Sequence, residues 1–348
     1  MDQNKTKTLM WGLFIALFIS LSVFSISFLL GGKREVVDVL IPRGKSLGQV
    51  SEILKQKEII SHPTLLKIFL KVTGGSSKVK AGEFRFHKPM STIGALVVLY
   101  YSDPVTHPVT IPEGYNLKQI AGALAEQKLV DEKKFLSIAL SKKTAEKYHL
   151  NAPHMEGFLY PDTYDFSLID GEEKIIERMY QKLLTLYEKE FKAEAQQKNF
   201  TFEKLMTLAS IVEKETGDPS ERSLVSSVFH NRLKKHMRLQ SDPTTIYGIK
   251  NYDGNIHKKD LLTHTPYNTY TIPALPPGPI ASPGAEAIRA TLRPAESDYL
   301  YFVAKTPGGS HIFSKTYEQH SRHVNSYQVE PVKRKISNTK HPQKKKKR

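Results

Sequence analysis

A carboxyl placed where a helix turns its apolar side inward marks the chemistry in this chain. Over Phe202 to Thr216, FEKLMTLASIVEKET, a helical step puts Phe202, Leu205, Met206, Ala209 and Val212 on one face. Glu213, seven residues after Met206 and four after Ala209, points into the middle of that stripe. Loss of hydration disfavours the charged form of such a carboxyl and raises its pKa toward the range where it donates a proton near neutral pH. Glu213 is therefore the candidate general acid. Glu215 points to the other side, about 200° around the axis, which predicts a capping or salt-bridge role. If the helix stops before Lys214, that angular argument fails and Glu215 becomes the proton carrier. Leu208 and Ile211 fall outside the stripe, so burial on more than one side is expected. The competing reading of Glu213 is an end-of-helix glutamate with its head in solvent or paired with a lysine.

The segments that must surround this helix are rich in sugar-compatible side chains. Met237 to Ile249, MRLQSDPTTIYGI, offers Gln240, Asp242 and Tyr247; Thr265 to Gly284, TPYNTYTIPALPPGPIASPG, offers Asn268 and Tyr270. Its prolines rule out a regular helix and predict a stiff extended loop. Tyrosines give an apolar face with a polar tip, and Gln, Asp and Asn give donors and acceptors, a mixture suited to a glycan. His154 to Phe166, HMEGFLYPDTYDF, reads as a loop in which Glu156, Tyr160, Asp162 and Tyr164 are groove candidates. Structural readings compete: Asp242 as a turn residue before Pro243, and the tyrosines as core packing. A long charged helix over Glu172 to Lys198, a helix over Ser220 to Lys235, and strands at Leu300 to Lys305 and His311 to Phe313 complete a mixed α/β catalytic part.

Leu9 to Leu30 is an uncharged run of 22 residues, long enough to cross a bilayer as a helix. It is too long for a signal-peptide core and has no small-x-small cleavage site. Flanking charges are nearly balanced, so they only lean toward a cytoplasmic N-terminus. Beyond it, VLIPRGKSLGQVSEILKQKEII (39 to 60) and VTIPEGYNLKQIAGALAEQKLV (109 to 130) align without gaps at an offset of 70. Each reads as a strand, a Pro-x-Gly turn and a helix. The fold class expected is α+β: one N-terminal transmembrane helix, a small LysM-like wall-binding module with an internal repeat, and the catalytic domain. The expected limits are a cytoplasmic tail over 1–8, the span over 9–30, a first module over 36–105, a second repeat unit and connection over 106–150, the catalytic domain over 151–330 and a basic tail over 331–348.

The chain has no cysteine, which excludes disulfides and thiolate chemistry. Its formal charge of +16 gathers at the end: nine Lys and Arg fall in the last 16 residues. Such a run binds phosphate polymers, but outside a membrane it meets anionic lipid and wall polymers first, so no nucleic-acid partner is expected. His230, His236, His257 and His264 have no metal-ligand spacing, and neither metal nor cofactor is implied.

Glu213-Lys214-Glu215-Thr216, with RLQSDPTTIYG, YNTYTIPALPPGPIASPG, EGFLYPDTYDF and LYFVAK, closely resembles the endolytic murein transglycosylases, the YceG-like proteins. The resemblance implies a lyase of the inner membrane, N-terminus cytoplasmic and body outside, cutting nascent peptidoglycan strands beside peptidoglycan synthases. It places the catalytic role on Glu213; Gln240, Asp242, Tyr247, Asn268, Tyr270 and Glu156 are the substrate-binding candidates by residue type and position in these segments. One residue would act as acid and then base, giving a 1,6-anhydro-N-acetylmuramic end without water. The alternative is a non-catalytic wall-binding scaffold of the cell-elongation machinery.

Overall fold

The 70-residue repeat is built twice with the same local devices. Gly44 and Gly114 both take positive φ, 72° and 75°, at the Pro-x-Gly turn, where a β-carbon would be strained. Ser46 and Asn116 then cap the following helices, each in a capping box with the glutamine three residues on. Past the helix ends, Glu58 and Lys128 both take positive φ. The computed structural model describes residues 35–72, 79–306 and 309–329. The expected tail over 1–8, span over 9–30 and basic tail over 331–348 lie outside the described residues, among which no helix is long and apolar enough to cross a membrane.

The chain divides at Thr106/His107 into two units. In the first, β1 (Glu35–Ile41) pairs antiparallel with β2 (Gly82–Lys88), Val39 opposite Phe84. Helices α1 (Leu47–Gln56) and α2 (Pro63–Val72) lie between them in sequence, and α3 (Thr92–Tyr101) follows. Alternation along both strands turns Val39, Ile41, Phe84 and Phe86 inward onto Val50, Leu54, Leu66, Leu96 and Leu99. The other face carries the bidentate Arg85–Asp38 pair.

In the second unit β3 (His107–Thr110) pairs antiparallel with β4 (Thr163–Phe166). Between them lie α4 (Leu117–Glu126), α5 (Glu132–Ala139) and α6 (Lys142–Lys147). The chain continues through α7 (Gly171–Leu186), a π turn, α8 (Lys192–Gln197), α9 (Phe202–Glu215), α10 (Arg222–Lys234), α11 (Asp242–Gly248), α12 (Lys258–Leu262) and α13 (Ala285–Leu292). A hairpin of β5 (Tyr301–Ala304) and β6 (His311–Ser314), helix α14 (Tyr317–Val324) and a second π turn (Asn325–Val329) close the described chain. The second repeat is not an independent body: Leu117, Ile120, Ala121 and Leu124 share one core with Phe158, Ile175 and Met206.

Helix α9 is the axis of this unit. Thr201 caps its start, accepting from Lys204 N–H, and every residue from Leu205 to Val212 is buried. Leu205, Met206 and Ala209 belong to the large core, whereas Leu208, Ile211 and Val212 pack with Val225, Phe229 and Leu239 in a second one. Val212 thus leaves the stripe the sequence assigns it to, because α9 has an apolar neighbour on two sides. No regular element forms over 265–284, where the prolines concentrate.

Candidate active site

Both glutamates at the end of α9 continue an apolar stripe. Glu213 follows Met206 and Ala209; Glu215 stands four residues after Ile211 and seven after Leu208, so it extends the second core's stripe. The helix runs through Glu215 before Thr216 takes extended backbone. Each carboxyl therefore leaves an apolar wall into different surroundings.

Glu213 is fastened. Its Oε2 accepts from Gly284 N–H at 3.0 Å, its Oε1 lies 3.6 Å from Arg222 Nη2, and its side chain is only 8% exposed. Burial raises its pKa against the opposing pull of the Gly284 N–H and Arg222, and the nearby Glu113 carboxylate adds to the rise. The second repeat's turn is strapped to the same place: Lys214 Nζ donates to Gly114 O, Gly114 N–H to Ser282 O and Ser282 N–H to Tyr115 O.

Glu215 opens onto a cavity of about 400 Å³ lined with Arg232, Gln240, Asp242, Tyr270 and Tyr301. The expected capping or salt-bridge role is corrected here: Glu215 accepts a hydrogen bond from the Ser241 hydroxyl. Desolvation pushes its pKa up to about 7, with the Asp242 charge adding to the rise and Ser241 and Arg232 opposing it. The half-buried residues of β5 form part of the wall, which is why that strand is less buried than its apolar sequence suggests. Arg232, 7% exposed, is locked by donating to Leu300 O and Leu239 O, and its guanidinium lies over the Tyr301 ring.

Of the six sequence candidates for substrate contact, three gather at Glu215. Gln240 adopts positive φ and accepts from Arg232 Nη1 at 3.4 Å, and Asp242 accepts from the Tyr270 hydroxyl at 2.6 Å. Asn268 is corrected to scaffold. It is 1% exposed, its amide N–H group donates to Asp260 O, Leu261 O and Thr263 O, and its Oδ1 accepts from Thr245 and Tyr270 N–H. That exhausts its capacity inside the protein. Glu156 and Tyr247 line a different cavity, of about 870 Å³, with Asn116 and Tyr252. There Glu156, 2% exposed, accepts from Leu117 N–H at the start of α4, and burial pushes its pKa up to about 8. Tyr247 packs on Tyr267 at 4.6 Å between ring centroids.

Of the other groove candidates, Tyr164 donates to Tyr160 O and Asp162 pairs with Lys182. His230 bonds Thr291 O, and His257 bonds Asp253. The sequence reading missed Arg232, Ser241 and Tyr301. It also missed the place of Glu215, although the Leu208–Ile211 spacing carries that signal.

A family model described as the YceG-like family matches residues 39–326. A Bacillus subtilis protein named endolytic murein transglycosylase is 33% identical over 311 residues, covering 84% of this chain and 85% of that protein. A Streptococcus pneumoniae protein of the same name is 31% identical over 331 residues, covering 84% of this chain but 59% of its own length. A crystal structure of a YceG-like protein from Listeria monocytogenes is 34% identical, with a TM-score of 0.57, covering 83% of this chain and 99% of that one.

Proposed function

Because the chain belongs to the YceG-like family, we propose that it is a peptidoglycan lytic transglycosylase whose proton carrier is Glu215. One observation carries the choice of residue: Glu215, at the end of α9, faces a cavity together with Gln240, Asp242 and Tyr270, at a pKa of about 7. Glu213, in contrast, is held by Gly284 and Arg222. General acid–base catalysis needs a group within reach of the substrate and poised near the working pH.

In the proposed reaction the Glu215 proton passes to the oxygen joining N-acetylmuramic acid C1 to N-acetylglucosamine C4, and the C1–O bond breaks. The muramic C6 hydroxyl attacks C1 and gives its proton to the Glu215 carboxylate. The product is a 1,6-anhydro end, the acid is regenerated, and no water is consumed. Asp242, fixed by Tyr270, puts a negative charge near the site, favouring both the protonated acid and the positive charge that develops on the sugar. Gln240 and the rings of Tyr270 and Tyr301 would orient the saccharide.

The uncharged run over 9–30 is proposed as the membrane anchor, with the body outside the cytoplasm beside the peptidoglycan synthases. The LysM-like reading of the first unit is supported by its strand–helix–helix–strand order. The deciding experiment is mass spectrometry of uncrosslinked glycan strands treated with wild type, Glu215→Gln and Glu213→Gln. Anhydro ends from wild type and Glu213→Gln alone support the assignment. Loss only in Glu213→Gln returns the role to that residue. Reducing ends would make water the nucleophile and Asp242 the second carboxylate, and no cleavage by wild type would favour the scaffold reading.

A further inference from the structure

Helix α3, TIGALVVLYY, carries no charged residue from Thr92 to Tyr101. Its inner side, Ala95, Leu96 and Leu99, is buried in the core of the first unit. Its outer side is apolar as well: Ile93, Val97 and Tyr101 follow at four-residue intervals and are 65%, 51% and 83% exposed. That spacing aligns them along one face. Ile68, 55% exposed, stands on α2, which packs against α3. A single exposed apolar residue needs no explanation, but a stripe along a whole helix does.

The chain itself limits what can cover this stripe. Glu35, the first residue of β1, comes five residues after Leu30, the last of the uncharged run. Five residues span at most about 17 Å. If that run is the anchor, the first unit is held within this distance of the bilayer. Its charge suits an anionic surface: residues 35–106 carry ten Lys and Arg against six Asp and Glu. Tyrosine at one end of the stripe, with an apolar ring and a polar tip, is suited to the headgroup level.

We propose that the outer face of α3 lies in the lipid headgroup layer, so that the first unit is seated on the membrane by Ile93, Val97 and Tyr101. This inference rests on the anchor reading of residues 9–30. An interfacial helix sinks its apolar side only shallowly into the boundary. Seating would fix the unit's orientation on the membrane where the short tether alone fixes only its distance.

The absence of cysteine from the chain makes the test clean. Full-length Val97→Cys and His87→Cys, the latter on the outward face of β2, are labelled with an environment-sensitive fluorophore. Both are reconstituted into phosphatidylethanolamine/phosphatidylglycerol vesicles with and without shallow doxyl-lipid quenchers. The expected result is a blue-shifted label at 97 quenched several-fold more than the label at 87. In a Tyr101→Cys label, adding Ile93→Asp and Val97→Asp should return the emission to that of water, with unchanged circular dichroism. Equal quenching at 97 and 87 overturns the proposal, and so does a blue-shifted label at 97 that doxyl lipid fails to quench, which would mean a protein partner. Flotation read first separates the two premises. A chain that does not float with vesicles refutes the anchor and the seating together, and one that floats with a water-exposed label refutes only the seating.

Discussion

The Ser241 hydroxyl donates to the Glu215 carboxylate across 26 residues of chain. Ser241 is itself pinned, its N–H bonded to Thr269 Oγ1, and it stands at the N-cap position of the helix that begins with Asp242. One residue therefore sets both the aim of the proposed acid and its distance from its carboxylate neighbour.

Removing that hydroxyl should separate aim from identity. Ser241→Ala leaves the acid in place but takes away a bond that stabilises its charged form. The expected outcome is a lower kcat, by roughly tenfold, with the alkaline limb of activity moved to higher pH. Glu215→Gln should lose about 10²- to 10⁴-fold, the usual contribution of a positioned acid–base group. Rates of anhydro-end formation against pH check both.

The pH profile of the wild type follows from the same group. Cleavage starts from protonated Glu215, so activity should hold below pH 7 and fall as the pH rises through about 7. The Asp242 charge raises that value, so Asp242→Asn should move the limb to lower pH. A limb that stays put in Asp242→Asn, or moves up, would contradict the assignment.

The sequence makes the elements legible where one rule governs them. The repeat's turns and caps, α9 and the proline-rich segment all follow from glycine, capping and proline chemistry. What it hides is which side of α9 faces what. A two-sided buried helix has two apolar stripes, and the stronger one, through Met206 and Ala209, draws attention to Glu213, while the Leu208–Ile211 stripe leads to Glu215. Asn268 looked like a ligand for sugar because residue type cannot tell a satisfied amide from a free one. Arg232 was invisible because its partners are carbonyls on segments distant in sequence.

Glu156 should make stability fall with pH. Its folded pKa is raised to about 8 by burial, above its ordinary 4.5. Its contribution is thus fully present below pH 4.5 and is lost as pH rises through 8. The loss is on the order of a few kcal/mol. Glu156→Gln can still accept from Leu117 N–H, so it should flatten the fall in Tm between about pH 5 and 8. Thermal melts across that range provide the check.

Gly157→Ala should be among the costliest single-methyl additions. Gly157 has φ of +76°, and a β-carbon there would stand 2.2 Å from Pro279 Cβ and 2.8 Å from Ala281 O. Backbone conformation and rigid neighbours both oppose it. A loss of about 3 kcal/mol or more is expected, measured by denaturant unfolding, together with a weakened bracket between the loop holding Glu156 and the proline-rich segment.

The decisive contrast lies at Glu213, whose surroundings suit a clasp better than a proton shuttle. Its carboxyl joins the end of α9 to Gly284, the N-cap position of α13, with Arg222 of α10 as counter-charge. Glu213→Gln keeps an acceptor for Gly284 N–H and removes only the charge. Cleavage within roughly tenfold of wild type is expected, with the alkaline limb still near pH 7, because the titrating group is untouched. Arg222→Met strips the counter-charge from a buried carboxylate and should destabilise by about 3 kcal/mol. Since burial already raises the Glu213 pKa, protonation relieves part of that cost, so the Arg222→Met defect should shrink as the pH falls. Combining Arg222→Met with Glu213→Gln should recover stability, because no unpaired charge remains. A clasp obeys this pattern, whereas a proton carrier would lose its activity in Glu213→Gln whatever happened to the fold.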